Sequence, residues 1–323
     1  MSRRPAARSG MALILTLAAI VLAGGLAVYL QARAVSRSRA EQAELLRERL
    51  RLAAAEAARE ALWILAADED LAVDHLGEDW ASPREAVRAD GVSTWAVVED
   101  AGRFFNWNNL SISNRSSRAA RDILLDLMTF CGDFSPVVRV AALEDFVDAD
   151  EDGSYEADFY RVGDAPFRPP NRELWAPAEL LRVHDFSAEV FQSRPKAGPD
   201  DLFGGDLAAS TACVPMPLKA AVPVNVNTAG RDVLMGVTGL QQEAAVRTVL
   251  ALRQVQPFES LAMIFMANPE LAAALEGTVA TASTCFRVRA RASMEGMHSS
   301  VMAWVERDAK KGDIRILQWV EEG

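Results

Sequence analysis

With 323 residues, half of them apolar, and a formal charge of -11, the chain can bury one large or two ordinary cores and falls outside the disordered class. Its acidic balance argues against a main role in holding nucleic acid or an anionic membrane surface. Three cysteines, Cys131, Cys213 and Cys285, with no C-x-x-C pair argue against structural zinc and thioredoxin-like redox chemistry. Their odd number leaves at least one thiol unpaired in a monomer. Outside the cytoplasm Cys213 and Cys285 are candidates for a disulfide; burial of each as a free thiol is the alternative.

The N-terminus carries Arg3, Arg4 and Arg8 with no acid, and Met11 to Leu30 contain no charge. Twenty apolar residues at ~1.5 Å rise span ~30 Å, enough to cross a bilayer as a helix. The arginines predict a cytoplasmic N-terminus with the bulk outside. A cleaved secretory signal would want a shorter apolar stretch and an A-x-A-like site, whereas Gln31-Ala32-Arg33 follows here without a turn. No proline occurs between Pro5 and Pro83, and Leu46, Leu50, Ala53, Ala57, Ala61 and Leu65 recur at three-to-four spacing. The pattern predicts one helix from Met11 to about Ala67, with a bend favoured at Gly24-Gly25 and an apolar face over its second half.

After Pro83 the period changes. Ser93 to Val98 and Phe104 to Asn108 read as strands joined by a turn containing Gly102. Mainly helical character follows for about 175 residues, including 118–130, 177–183, 231–237, 241–254 and 258–266. Strand alternation returns at Phe286, Val288, Ala290 and Ala292, set between Arg287, Arg289 and Arg291. Gly296 and Lys310-Lys311-Gly312-Asp313 turn the chain into 298–307 and 314–320, an antiparallel meander.

Asp148-Ala149-Asp150-Glu151-Asp152-Gly153-Ser154-Tyr155-Glu156-Ala157-Asp158 holds six acids in eleven residues. Carboxylates at positions 1, 3 and 5 with glycine at 6 match the opening of an EF-hand loop, where alternate residues turn inward and glycine permits the bend. Phe159 stands where the bidentate glutamate would be. The reading is therefore a non-EF-hand cation site: Asp148, Asp150 and Asp152, closed by Glu156 or Asp158 and completed by backbone carbonyls and water. A solvated acidic turn is the plainer alternative.

These features resemble a family. The basic leader ending in Gly10, followed by Met11-Ala12-Leu13-Ile14-Leu15 opening a long helix, looks like a type IV pilin or pseudopilin signal. Most pilins have glutamate at the fifth mature position; Leu15 here is similar to the K-type minor pseudopilins of the type II secretion system. An uncompensated carboxylate in hydrocarbon is costly, and its absence suits a subunit with no predecessor to neutralise. Further matching pieces, in the family's order, are Val98 to Phe104 with Asn106 and Asn108, Leu143 to Asp150, Pro166 to Asn171, and Val224 to Ala229.

The resemblance implies an α+β fold: a long N-terminal helix on an antiparallel sheet, with a large α-helical, SAM-like or helix-hairpin-helix-like domain inserted between strands. The implied divisions are a leader over 1–10, a transmembrane segment over 11–30, a pilin-like part over 31–109 and 284–323, and the insertion over 110–283. It also implies prepilin peptidase cleavage after Gly10, methylation of Met11, and calcium in the helical domain. It implies I-type, J-type and H-type minor pseudopilins as partners, a bacterial inner-membrane location, and a role capping the pseudopilus tip and initiating its assembly. Leu15 and the Leu46 to Leu65 face are the expected contacts with neighbouring helices.

Residues 224–266 resemble a helix-hairpin-helix module, which in other settings binds DNA phosphates. Here Arg231, Arg247 and Arg253 are balanced by Asp232, Glu243 and Glu259, and only Gly239 marks the hairpin. The module is expected to pack rather than bind DNA. A membrane-anchored DNA receptor of a competence-like system and a signal-anchored calcium-dependent adhesin are the competing functional readings. His75, His184 and His298 are isolated, with no H-E-x-x-H, G-x-S-x-G or Walker A pattern, so the chain is expected not to be an enzyme.

Overall fold

The computed structural model describes residues 6–111, 120–162, 166–191, 205–215 and 221–322. Residues 1–5 of the expected leader, and Arg118 and Ala119 at the start of the expected 118–130 helix, lie outside them.

Helix α1 (Ala6–Ala66) runs unbroken through Gly24-Gly25 and is roughly 90 Å long at 1.5 Å per residue. Ala, Leu, Glu and Arg dominate it, all strong helix formers. It ends where Asp68 and Asp70 offer their carboxylates to the backbone N–H groups of Asp70 and Ala72, an alternative to the helical ladder. Residues 11–30 are exposed along their whole length, and α1 is long and apolar enough there to cross a membrane.

Strands β1 (Arg84–Val87) and β2 (Ser93–Asp100) form a hairpin. The chain then leaves the sheet through β3 (Phe105–Asn106), α2 (Ala120–Phe130), α3 (Pro136–Val147), α4 (Ala157–Tyr160) and α5 (Leu207–Ser210). It continues through β4 (Thr211–Ala212), β5 (Val224–Asn225), α6 (Arg231–Thr238), α7 (Glu243–Val255), α8 (Leu261–Ala267), α9 (Ala272–Leu275) and β6 (Val279–Ala280). It returns as β7 (Cys285–Met294), β8 (Met297–Arg307) and β9 (Ile314–Glu322). The main sheet has the order β1-β2-β7-β8-β9 and is antiparallel throughout, so the helical insertion separates two neighbouring strands, β2 and β7.

The expected meander of the last three strands is present, with Gly296 at φ 78° and Gly312 at φ 73° in its turns. The expected pairing of 93–98 with 104–108 is not: β2 pairs with 84–87 instead, and β3 lies parallel to β4. The cause is side-chain competition for backbone. Asn106 accepts from the N–H of Val214, Asn108 both accepts from and donates to the backbone of Leu174, and Asn109 does the same with Val222. Three buried amides thus act as strand mimics and bind 105–109 to the insertion.

Two principal cores result. In one, Leu50, Ala53, Ala54, Ala58, Ala61 and Leu65 of α1 pack on Val98, Phe286, Val288, Ala290, Val301, Ala303 and Val305 of the sheet. Alanine lets the helix axis approach the strands closely. This corrects the expected use of that face. Leu50, Ala53, Ala61 and Leu65 are buried within the chain, and Leu46 and Ala57, half-buried, pack at the edge of the same core. The exposed large hydrophobic side chains on this half of α1 are Leu45, Leu52 and Trp63, the last 76% exposed. Leu15 is also exposed.

The second core lies in the insertion, where Leu124, Leu127, Phe130, Leu143, Phe146, Val233 and Val237 meet. A β-carbon on Gly236 would lie 2.9 Å from that of Leu127, so glycine allows α6 to close on α2. All three cysteines are free and buried; the Cys213 to Cys285 bridge weighed above is not formed. Burial pushes the thiols of Cys213 and Cys285 up to about 12.

Candidate functional site

The acidic loop leaves α3 at Asp148, whose backbone N–H still bonds Glu144, and enters α4 at Glu156. Between them the chain turns back on Asp145, in the last turn of α3, whose Oδ2 accepts from the N–H of Tyr155 at 2.8 Å. Asp150 Oδ1 accepts from the N–H of Asp152 at 2.9 Å, and Asn171 Nδ2 donates to the carbonyl of Asp150 at 2.9 Å.

This folding brings one oxygen each from Asp148, Asp150 and Glu156 within 4.8 Å of one another. Glu156 is only 8% exposed, yet neither of its carboxylate oxygens has a hydrogen-bond partner, and Asp148 Oδ1 and Asn171 Oδ1 are likewise buried and unpartnered. Burial pushes Asp148 up to about 6, with Asp150 and Asp145 adding to the rise. Glu156 is raised by burial first and by Asp145, Asp148, Asp150 and Glu151 in turn. Buried oxygens without donors are what a cation cage looks like before the cation is counted. The donors are all oxygen, which fits a hard divalent ion.

Two of the five expected ligands stand apart. The Asp152 side chain is exposed, and that residue serves the loop through its N–H. Asp158 points outward and pairs with Arg161 at 2.6 Å, its side chain 90% exposed. Asn171 was missed by the sequence reading because it comes 21 residues after Asp150, and no local spacing joins them. Gly153 answers to a different need from the one assumed. A β-carbon there would lie 2.2 Å from Asp145 Oδ2, so glycine makes room for a carboxylate.

A second acidic cluster, Asp68, Asp74 and Glu78, also brings its oxygens within 4.8 Å, but a guanidinium fills it. Arg307, 1% exposed, bonds Asp68 at 2.6 Å and Asp74 at 2.6 and 2.7 Å and stacks over Phe286. Next to it Asp100, fully buried, accepts from Gly102 N at 2.7 Å, Asn225 Nδ2 at 2.9 Å and Thr228 Oγ1 at 2.5 Å. These contacts clamp β2, β8 and the chain after α1 to the start of the hairpin module.

The module's polar residues are likewise used inside the molecule. Asn227 exchanges two hydrogen bonds with the backbone of Phe258, Arg231 pairs with Glu243, and Arg253 donates to the carbonyl of Val226. Of its three arginines, Arg247 is the exposed one. A DNA-reading surface is not favoured by this arrangement.

Fold and site together define an α+β architecture: a long helix, apolar enough over its first part to cross a membrane, lies on an antiparallel sheet split by a helical insertion that carries an acidic loop. No family model matches the sequence, and no curated protein matches it. Among solved structures the fold is similar to the GspK chain of the GspK-GspI-GspJ complex from the enterotoxigenic Escherichia coli type 2 secretion system. The TM-score is 0.68 over 89% of this chain and 99% of that one, at 20% sequence identity. The likeness shows a shared fold.

Proposed function

We propose that this chain is a K-type minor pseudopilin of a type II secretion system, a non-catalytic assembly subunit anchored in the bacterial inner membrane by α1. The observation that carries the reading is the fold likeness, which runs over nearly the whole of the matched chain and includes the insertion between β2 and β7. Leu15, exposed within the apolar segment, adds to it. In this reading prepilin peptidase cuts after Gly10 and Met11 is methylated. The insertion then sits as a bulky cap at the pseudopilus tip, and I-type and J-type subunits, with the H-type next, join below it. Asp148, Asp150 and Glu156 hold calcium with Asn171 as a further oxygen donor, ordering the loop between α3 and α4.

Mass spectrometry of the protein from membranes tests leader processing: the expected mature chain begins at a methylated Met11. A chain starting near residue 35, soluble and without α1's apolar half, overturns the reading. Copurification with the I-type and J-type subunits is expected from cells expressing all three, and its absence counts against the assembly role.

A further inference from the structure

We propose that the outer edge of β9, together with the apolar cavity beside it, docks an extended, uncharged polypeptide segment of a partner protein as a further strand of the sheet. β9 ends the strand order, so among the described residues no strand pairs with its outer side, and none of its nine residues is buried. At about 3.4 Å per residue it offers roughly 30 Å of backbone, with the N–H and C=O of every second residue directed outward. Natural sheets blunt such an edge with short strands, lysine or proline. β1, at the opposite edge, follows that rule with four residues that include Arg84 and Glu85, whereas β9 contains neither lysine nor proline.

A cavity of about 620 Å³ lies between the insertion and the last strands. Leu181 and Phe191 line it from the insertion, Met302 and Trp304 from β8, and Gln318 and Val320 from β9 itself. Met302 and Trp304 alternate with Val301, Ala303 and Val305, which pack under α1, so the cavity sits on the opposite face of the sheet. Trp175 and Leu181 on its wall are more than half exposed, and it opens to solvent there. Among the described residues Arg287 is the one charged group lining it, and Glu99 holds that guanidinium at 2.9 Å. Thr211 Oγ1 and Cys213 Sγ are likewise engaged by the carbonyls of Leu207 and Leu174. The size and the aromatic, aliphatic lining are those of a ligand site whose occupant is apolar.

One occupant satisfies both features. A strand added about 4.8 Å beyond β9 pairs with its outward N–H and C=O groups and sends every second side chain to the cavity side, next to Gln318 and Val320. A small apolar molecule would fill the cavity and leave the edge unpaired. A second copy paired through its own β9 would present Gln318 and Val320, which leave most of that volume empty. Charge sets the chemistry of the segment. Ile316-Leu317-Gln318-Trp319-Val320 carries no charge, and the flanking charges are neutralised inside the chain, Arg315 by Glu306 and Glu321 by Arg51 at 2.7 Å. A charged segment would give up its water and gain no counter-ion here, whereas an uncharged one with apolar residues at alternate positions loses nothing.

Selection of short peptides from a random phage-displayed library on the full chain in lipid nanodiscs tests the site. Uncharged sequences with apolar residues at alternate positions are expected to be enriched, and an enriched peptide should protect alternate N–H groups between Ile316 and Val320 from hydrogen exchange. Ala208→Trp fills the cavity from an exposed position on α5, and Ile316→Lys places a charge on the exposed edge of β9. Each should weaken peptide binding about tenfold or more, the scale set by one large apolar side chain that can no longer be buried. The exchange pattern is read on the wild type, so it decides even where a variant does not fold. No enrichment, enrichment of charged sequences, binding without protection of β9, or full affinity in both folded variants each overturns the docking site. So does a wild-type dimer in which those N–H groups are already protected, since the edge then belongs to a second copy.

Discussion

Asp145 Oδ2 occupies the space that a β-carbon on Gly153 would need, the two positions lying 2.2 Å apart. The carboxylate also holds the N–H of Tyr155, so this close approach sets the path of the acidic loop from α3 to α4. Gly153→Ala is expected to displace Asp145, break that bond and cost about 1–3 kcal/mol of stability. It should also weaken calcium binding, since Asp148 and Glu156 lie at either end of the displaced segment. Thermal unfolding with and without calcium, followed on the full chain in detergent, checks both parts; a variant with unchanged melting would show that the loop yields without strain.

The candidate calcium cage predicts a particular order among substitutions. Asp148→Asn and Glu156→Gln should each remove most of the calcium-dependent stabilisation, which for a ligand at a hundred times its dissociation constant is about 2.7 kcal/mol. Asp152→Asn and Asp158→Asn should leave it nearly intact, because those side chains face solvent. If all four substitutions act alike, the loop responds to overall charge and the cage is wrong.

Proton release follows from the same groups. Without a cation, the raised values of Asp148, about 6, and Glu156 mean that the closed loop loses stability as pH rises through that region. Calcium needs the ionised carboxylates, so its affinity should climb from pH 5 to pH 7 and its binding should expel protons. Calorimetry at pH 6 in two buffers of different ionisation heat should give apparent enthalpies that differ accordingly; equal enthalpies would place the ion elsewhere.

Much of the architecture could be read from residue order alone. The proline-free run to Pro83 and the period-two arginine alternation from Arg287 to Arg291 are local patterns, and α1 and β7 follow from them. What could not be read was which surface each pattern covers. The three-to-four spacing from Leu46 to Leu65 identifies an apolar face but is silent on whether a sheet of the same chain or a second helix lies against it, and here the sheet does. The acidic loop shows the same limit. Asp148 and Asp150 announce themselves by spacing, whereas Asn171 reaches the site through tertiary structure. The strand expected at 104–108 is cut to Phe105–Asn106 and pairs with β4 instead of β2, because Asn106, Asn108 and Asn109 bond backbone far along the chain.

The reassigned face of α1 gives a paired test. Leu50→Ala removes a fully buried side chain between helix and sheet and should cost about 2–5 kcal/mol. Trp63→Ala, on the exposed flank with Leu52, should change stability by no more than about 0.5 kcal/mol. In the assembly proposed above it should nonetheless reduce recovery of the partner subunits. A Trp63→Ala protein that recovers them at the wild-type level would move the contact away from this flank.

Asn225 offers the sharpest probe of how sheet and insertion are joined. Asn225→Ala strips one donor from both the carbonyl of Asp74 and Asp100 Oδ2, two buried acceptors, at about 1–3 kcal/mol each. Asn225→Asp is nearly the same size but sets a further carboxyl group beside Asp74 and Asp100, with Arg307 already engaged by Asp68 and Asp74. Like charges that close are tolerated only when protons intervene, so the aspartate variant should fall below the alanine variant at pH 8 and approach it at pH 6. Chemical unfolding of both variants at the two pH values measures the crossover, and a gap that stays constant would mean the junction does not sense charge.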